Sequence, residues 1–130
     1  MKALVATEAG TWEVDLDEEA LLGPADDPFP GANAPIVALP RVLAAAASGS
    51  TVVAVLDRKP PLAVSHDAGT TWSESGRGLP GGRAVAIHPD EPDTILYGAR
   101  NRLYLSTDGG RFWRALALEL PAVEAVAFAD

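Results

Sequence analysis

Two eight-residue stretches of the chain, 41 positions apart, share one pattern. The first is SHDAGTTW, residues 65–72, and the second is STDGGRFW, residues 106–113. Each has a Ser, an Asp two places later, a Gly two places after the Asp, and a closing Trp. A repeat at this period is typical of arrays in which one small unit cannot bury its apolar surface without neighbours. The chain is therefore restricted to folds built from stacked units of about 40 residues.

Each copy of the pattern is surrounded by four short apolar runs that turn residues separate. The runs are 41–46, 51–56, 62–64 and 71–73 around the first copy, and 83–87, 94–98, 103–105 and 112–116 around the second. Their length, β-branched residues and intervening turn residues predict antiparallel strands. The stretch VLAAAAS has a helical propensity, but its alignment with AVAIHP in the other copy favours an inner strand. The fold class predicted is all-β: a β-propeller of four-stranded antiparallel blades, about three in each chain.

The two ends of the chain supply the pieces of one further blade. Residues 2–16 look like two strands joined by a tight turn, whereas residues 122–129 align with the first strand of the repeat. We therefore assign residues 2–16 plus 122–129 to blade A, residues 36–75 to blade B and residues 82–118 to blade C, within a single half-propeller domain, 1–130. Residues 17–35 would hold a poor fourth strand or a loop.

Three blades do not close a ring, because propellers have about four to eight. The simplest completion is a two-fold homodimer of six blades, in which the C-terminal strand of each chain adds to the N-terminal strands of its partner. This strand exchange would also remove two exposed sheet edges. A trimer of nine blades and a fragment of a larger propeller are the alternatives.

The repeated pattern resembles the Asp-box, or BNR-repeat, propellers found in sialidases and sortilin-type proteins. The family pattern Ser-x-Asp-x-Gly-x-Thr-Trp is matched in the first copy by Ser65, Asp67, Gly69, Thr71 and Trp72, and in the second by Ser106, Asp108, Gly110 and Trp113, with Phe112 in place of Thr. The resemblance implies a hairpin between the third and fourth strands, away from the ligand-binding face. Ser and Asp side chains bond the amides of such turns, so we expect a structural role for these residues.

Candidate ligand-binding residues come from aligning the first strands of the three blades. Arg41, Arg83 and Glu124 then fall at equivalent positions, near the entrance of the central channel. Sialidases bind a carboxylate substrate with three arginines, and Glu124 departs from that pattern. Two interpretations stay open: polar residues that line a solvated channel, or anion binding by Arg41 and Arg83. The arginines of the last blade, Arg100, Arg102, Arg111 and Arg114, are expected at the solvated surface.

No residue is singled out for catalysis. The chain has no Cys, which excludes thiolate chemistry, and His66 and His88 lack the spacing of metal ligands, so we expect neither a metal nor a cofactor. Tyr97 and Tyr104 lie in predicted strands and are expected to pack. The function predicted is a non-catalytic binding, interaction or scaffold module. The alternative is a sialidase-like glycoside hydrolase, or a degenerate remnant of one, that binds an anionic sugar in the central channel.

Charge restricts the partners. The formal net charge is −8, and eight acidic residues but only one basic residue occur among the first 30. Without a basic stripe, neither nucleic acid nor a membrane surface is expected as a partner. A second copy of the chain, another protein or an anionic small molecule remain as expected partners. Neither a signal peptide nor a membrane span is apparent in the sequence, which predicts a cytoplasmic location.

Overall fold

The fold is built from short strands joined by tight turns. The structure, a computed structural model, describes residues 1–26, 29 and 35–129. No helix occurs among these residues, which confirms an all-β fold. In chain order the strands are β1 (Lys2–Thr7), β2 (Gly10–Asp15), β3 (Ala20–Pro24), β4 (Val42–Ser48), β5 (Thr51–Leu56), β6 (Leu62–Ser65), β7 (Ser73–Ser75), β8 (Ala84–Ile87), β9 (Ile95–Ala99), β10 (Arg102–Ser106), β11 (Arg114–Ala115) and β12 (Val123–Phe128).

These strands form three four-stranded antiparallel sheets, a propeller-like arrangement. Sheet A has the strand order β12–β1–β2–β3, sheet B the order β4–β5–β6–β7, and sheet C the order β8–β9–β10–β11. The region 17–35, for which a poor fourth strand or a loop was expected, contributes β3 as the fourth strand of sheet A. Residues 27, 28 and 30–34 of that region lie outside the described residues.

The alanine-rich strand β4 shows that pairing between strands overrides a local helical propensity. β4 pairs with β5 along its whole length, with one irregularity between Val42 and Ala44. Ala44 lies opposite Val55 and Ala46 opposite Val53, and both alanines pack against the core between sheets B and C. Their small side chains suit an inner strand, since β4 contacts β8 of the neighbouring sheet.

β12 pairs with a strand from the other end of the chain. It lies beside β1, with Val126 opposite Val5 and Phe128 opposite Ala3. The two strands therefore belong to one four-stranded sheet. Exchange of β12 between two chains stays a prediction, because the structure contains one copy of the chain.

The linkers between the sheets differ in length. Residues 76–83 connect β7 to β8, and residues 116–122 connect β11 to β12; both connections run between adjacent sheets. Residues 25–41, which connect β3 to β4, form a linker about twice as long. A chain of that length spans up to about 60 Å when extended.

Sheet C lies between the other two sheets and contributes to two separate apolar cores. Val5 and Val14 of sheet A meet Leu96 and Leu103 in the core between sheets A and C. On the other side of sheet C, Tyr97 lies in the core between sheets C and B. Contacts between the inner strands follow the same order, β4 with β8 and β8 with β12. The three sheets therefore stack as B, C, A around their inner strands.

Candidate functional site

The first repeated box is a turn whose polar groups bond one another. The Ser65 hydroxyl donates to Asp67 Oδ1 at 2.7 Å and accepts from the Gly69 amide at 2.8 Å. Asp67 Oδ1 also accepts from the Thr71 amide at 2.8 Å, and Asp67 Oδ2 accepts from the Thr71 hydroxyl. The Trp72 indole donates to the Gly69 carbonyl at 3.1 Å. Every side chain that defines this box therefore stabilises the turn itself.

The second box repeats this arrangement without the threonine hydroxyl. Ser106 donates to Asp108 Oδ1 at 2.8 Å and accepts from the Gly110 amide at 2.9 Å. Asp108 Oδ1 accepts from the Phe112 amide at 3.0 Å, and the Phe112 side chain is exposed. The glycines of the two boxes, Gly69 and Gly110, have φ of 91° and 90°, a conformation that L side chains rarely adopt.

The electrostatics of the boxes agree with a structural role. The hydroxyl and the amide of Thr71, with the Ser65 hydroxyl, lower the pKa of Asp67 from its usual value to about 2. The Phe112 amide, followed by the Ser106 hydroxyl, lowers the pKa of Asp108. Hydrogen bonds to the charged form favour ionisation, so both carboxylates are held as acceptors rather than as proton donors.

The second box also connects two sheets. The Ser75 hydroxyl at the end of β7 donates to the Gly110 carbonyl and accepts from the Trp113 indole at 2.9 Å. Trp113 packs against the core between sheets B and C, edge-on to Tyr97 at 6.2 Å between ring centroids. Trp72 instead packs against Leu56 on the opposite face of sheet B. The sequence pattern did not indicate Ser75, because it lies outside both boxes.

The opposite end of the sheets forms a cavity of about 800 Å³. The beginnings of the inner strands β4, β8 and β12 lie at this end, together with the β1–β2, β5–β6 and β9–β10 turns. Residues from all three sheets line the cavity, which we call the inner-strand cavity. Its volume lies within the range of small-molecule sites, roughly 300–1,000 Å³. The boxes lie at the other end, where the Ala68 amide bonds the Ser50 carbonyl of the β4–β5 turn at 2.9 Å.

Two of the three candidate residues from the sequence reach this cavity. Arg83 and Glu124 are among its lining residues, whereas Arg41 is not, and Leu43 lines the wall at the beginning of β4 instead. Arg41 precedes β4 with φ of 62°, and its carbonyl accepts from the Asp57 amide at 2.9 Å. The strand register shifts between Val42 and Ala44, so Arg41 and Arg83 align in sequence without lying at equivalent positions of their sheets.

Sequence reasoning missed most of the charged lining. Lys59 and Arg100 line the cavity with Arg83, and Arg100 is exposed, as the sequence predicted. Arg58 is also present, but its guanidinium bonds the Glu74 carboxylate at 3.2 Å. One signal could have found the two missed cations: turns between second and third strands lie at the same sheet end as the beginnings of first strands.

The tyrosines and histidines do not form a second site. Tyr97 is fully buried and its hydroxyl donates to the Pro80 carbonyl at 2.7 Å. Burial, with a smaller contribution from Tyr104, raises the pKa of Tyr97 to about 12. His66 shares a contact of 3.5 Å with the Thr51 hydroxyl at the box end. Among the described residues, no group of three or more His, Cys, Asp or Glu is arranged to hold a metal ion.

Comparisons with known proteins support the fold alone. No protein-family model matches the chain, and no curated protein matches it. A solved structure, a GH74 enzyme from Niastella koreensis, superposes with a TM-score of 0.51 at 22% sequence identity. The match covers 92% of this chain and 18% of the enzyme, which belongs to a family of β-propeller glycoside hydrolases. The likeness agrees with propeller-like sheets, and no described helix is long and apolar enough to cross a membrane.

Proposed function

We propose that this protein is a non-catalytic β-propeller binding module whose ligand occupies the inner-strand cavity. The observation that carries the proposal is the contrast between the two ends of the sheets. The box end uses its carboxylates and hydroxyls in bonds within the turns, whereas charged residues are among those that line the cavity at the other end. A concave site with a few polar groups is the usual location for a ligand.

The charges around the cavity favour a ligand that carries a carboxylate. Lys59, Arg83 and Arg100 form no ion pair with any residue that the structure describes. Guanidinium groups bind carboxylates through two parallel hydrogen bonds, and Lys59 adds a third cation on the same wall. Glu8, Asp57 and Glu124 line the cavity as well, so the site fits a ligand with both anionic and hydrogen-bond-donating groups, such as an acidic sugar.

An NMR titration tests the binding proposal. N-acetylneuraminic acid serves as the carboxylate sugar and N-acetylglucosamine as the neutral control, each added to the ¹⁵N-labelled protein. We expect the acidic sugar to shift the amides of Gly82, Arg83 and Arg100, with an affinity that falls about tenfold in Arg83→Ala because one charge-assisted pair is lost. Arg111→Ala, an exposed arginine at the box end of the same sheet, is the matched control.

Two results would contradict this proposal. The first is the absence of shifts at the cavity with the acidic sugar at millimolar concentration. The second is equal weakening by Arg83→Ala and Arg111→Ala, which would indicate attraction by net charge rather than a site. Shifts confined to the boxes would likewise place the ligand elsewhere.

Glycoside hydrolysis is the second candidate function, because three carboxylates line the same cavity. Glycoside hydrolases use two carboxyl groups across the scissile bond, one as acid and the other as base or nucleophile. Glu8, Asp57 and Glu124 are all exposed, however, whereas a general acid of this class lies in apolar surroundings. This exposure favours binding over catalysis.

Fluorogenic substrates separate the two functions. A sialoside and a β-glucoside, incubated with the protein and with Glu124→Gln, should give no turnover above the rate without protein. Turnover that Glu124→Gln abolishes and Glu18→Gln preserves would replace the binding module with a hydrolase. Glu18 is an exposed acid outside the cavity, so its variant controls for the change in charge.

A further inference from the structure

The end sheets A and B differ from the middle sheet C in the number of faces that pack against another sheet. Sheet C buries apolar residues on both of its faces, against sheet A on one side and sheet B on the other. Sheets A and B each use one face in this way. In a propeller every blade packs between two neighbours, so the remaining faces of A and B are where further blades would dock.

The free face of sheet B is apolar and made of small residues. Ala45 lies opposite Ala54, which in turn lies opposite Ala63. Ala54, Leu56 and Ala63 are buried on this face, where Val37, Leu39, Val42 and Trp72 pack against them. Ala47, two residues beyond Ala45 on the same face of β4, is exposed, so this part of the face is open to another sheet.

The free face of sheet A is also apolar at its centre but carries charges at its border. Leu4 lies opposite Ala127 and Ala6 lies opposite Ala125, and these four residues alternate with the residues that face sheet C. Lys2 and Glu13, 3.7 Å apart, lie on the same face. An apolar centre with a polar border is the usual composition of a protein interface.

Exposed large apolar side chains are concentrated at the same two sheets. Five occur among the described residues, and four belong to the end sheets or the segment that leads into β4. On sheet A they are Leu21 and Leu22, and at sheet B they are Ile36 and Leu43, with exposures between 47% and 102%. The fifth, Phe112, lies in the box turn of sheet C. Of these four, Leu43 lines the inner-strand cavity and Leu21 lies opposite Val14 of the core between sheets A and C, so these two do not mark the end faces.

The distribution of charge favours contact of sheet A with sheet B over contact between two A sheets. Residues 1–26, which form most of sheet A, contain seven acidic residues and one basic residue. Residues 35–82, which include sheet B, contain four basic and three acidic residues. Two acidic A sheets would repel each other, whereas an A sheet against the nearly neutral B sheet avoids that repulsion.

We propose that two copies of this chain associate through two equal contacts. In each contact, sheet A of one copy docks against sheet B of the other. The two contacts are related by a two-fold axis and give a ring of about six blades, within the usual range for propellers. Each β12 stays with β1 of its own chain. The inner-strand cavity then opens onto a shared centre, so the binding site is complete only in the dimer.

Native mass in solution tests the docking, with one variant on the proposed interface. Light scattering on a sizing column should give twice the 13.5 kDa of the chain for the unmodified protein. Ala47→Glu adds a charge to the exposed part of the B face and should raise the half-dissociation concentration at least tenfold, with unchanged circular dichroism. Ala115→Glu, an equally exposed alanine of the middle sheet, is the matched control and should leave the mass doubled.

A cysteine pair distinguishes docking from strand exchange. The chain contains no Cys, so Ala6→Cys with Ala125→Cys introduces one possible bridge between β1 and β12. After oxidation, the denatured protein should have the mass of one chain, because both strands belong to the same copy. A linked dimer under denaturing conditions would overturn this part of the proposal in favour of exchange.

Three other results would overturn the docking itself. A mass of one chain at a concentration of 100 µM would show that the end faces do not associate. A dimer that is equally stable with Ala47→Glu would place the interface elsewhere. A mass of three chains or more would show that two copies do not close the ring.

Discussion

Gly98 is a position where one added methyl group should disturb the packing of sheet C against β12. It lies in β9, opposite Ala84 on one side and Leu103 on the other. A Cβ at this position would meet Val123 Cγ1 at 2.6 Å, Ala84 Cβ at 3.2 Å and Val126 Cγ1 at 3.4 Å. The absence of a side chain at Gly98 is therefore what allows β12 to pack so closely on sheet C.

The expected cost follows from these distances. A separation of 2.6 Å between carbon atoms is about 1 Å shorter than van der Waals contact, so Val123 or β12 must move. Overpacking of this kind costs about 1–3 kcal/mol, and we expect Gly98→Ala to lower the free energy of unfolding by about 2 kcal/mol. Gly98 has no positive φ, so backbone strain makes no contribution.

Urea denaturation with a matched glycine provides the assay. Gly81→Ala is the control, because Gly81 also lacks a positive φ and has no atom within 4 Å of a built Cβ. Both substitutions reduce the entropy of the unfolded chain equally, by about 0.4–1 kcal/mol, so their difference isolates the packing. Hydrogen exchange should show the largest loss of protection in β12.

A double-mutant cycle tests the named contact. Val123→Ala removes two methyl groups and should cost about 2 kcal/mol alone. The double variant should cost roughly 1–2 kcal/mol less than the sum of the two single costs. The reason is that Val123→Ala removes the Cγ1 atom that the Cβ added by Gly98→Ala would meet. Strict additivity, or a Gly98→Ala protein as stable as Gly81→Ala, would refute the reasoning.

Three further predictions concern polar side chains that form hydrogen bonds within the fold. Ser75→Ala should lower the free energy of unfolding by about 1–3 kcal/mol in urea, since it leaves the Trp113 indole without its acceptor across sheets B and C. Because the pKa of Tyr97 is raised to about 12, its contribution to stability should be complete below pH 10 and lost as the pH rises through 12, which absorbance of the tyrosinate follows. Because the pKa of Asp67 is lowered to about 2, its contribution should be present above pH 3.8 and lost as the pH falls towards 2; Thr71→Val should raise that pKa in an NMR titration.

The repeat predicted the sheets well because strand pairing is largely a local property. Each box fixes the hairpin between third and fourth strands, and turn residues at regular spacing fix the rest. Even the alanines of β4 were recognised as a strand, because the repeat aligned them with β8. The boundaries moved by a few residues, as with the last strand around the first box, expected at 71–73 and found at Ser73–Ser75.

Contacts between distant parts of the chain could not be predicted in the same way. The bond between Ser75 and the second box joins residues 35 positions apart, and no periodic pattern signals it. The register shifts between Val42 and Ala44, and Leu43 rather than Arg41 lines the cavity, although the first strands align in sequence.

The two ends of the sheets therefore differ in what a mutation there should change. At the box end, Asp67 and Asp108 accept the bonds that hold their own turns, so replacing either one should alter stability before it alters any interaction with a ligand. At the cavity end, Arg83 is exposed and forms no ion pair with a described residue, so replacing it removes none of the ion pairs among those residues. A loss of binding with an unchanged unfolding midpoint can arise only where a side chain is not already used for folding. Substitutions of Arg83 and its neighbours are therefore the ones that test the proposed binding without disturbing the turns of the repeated motif.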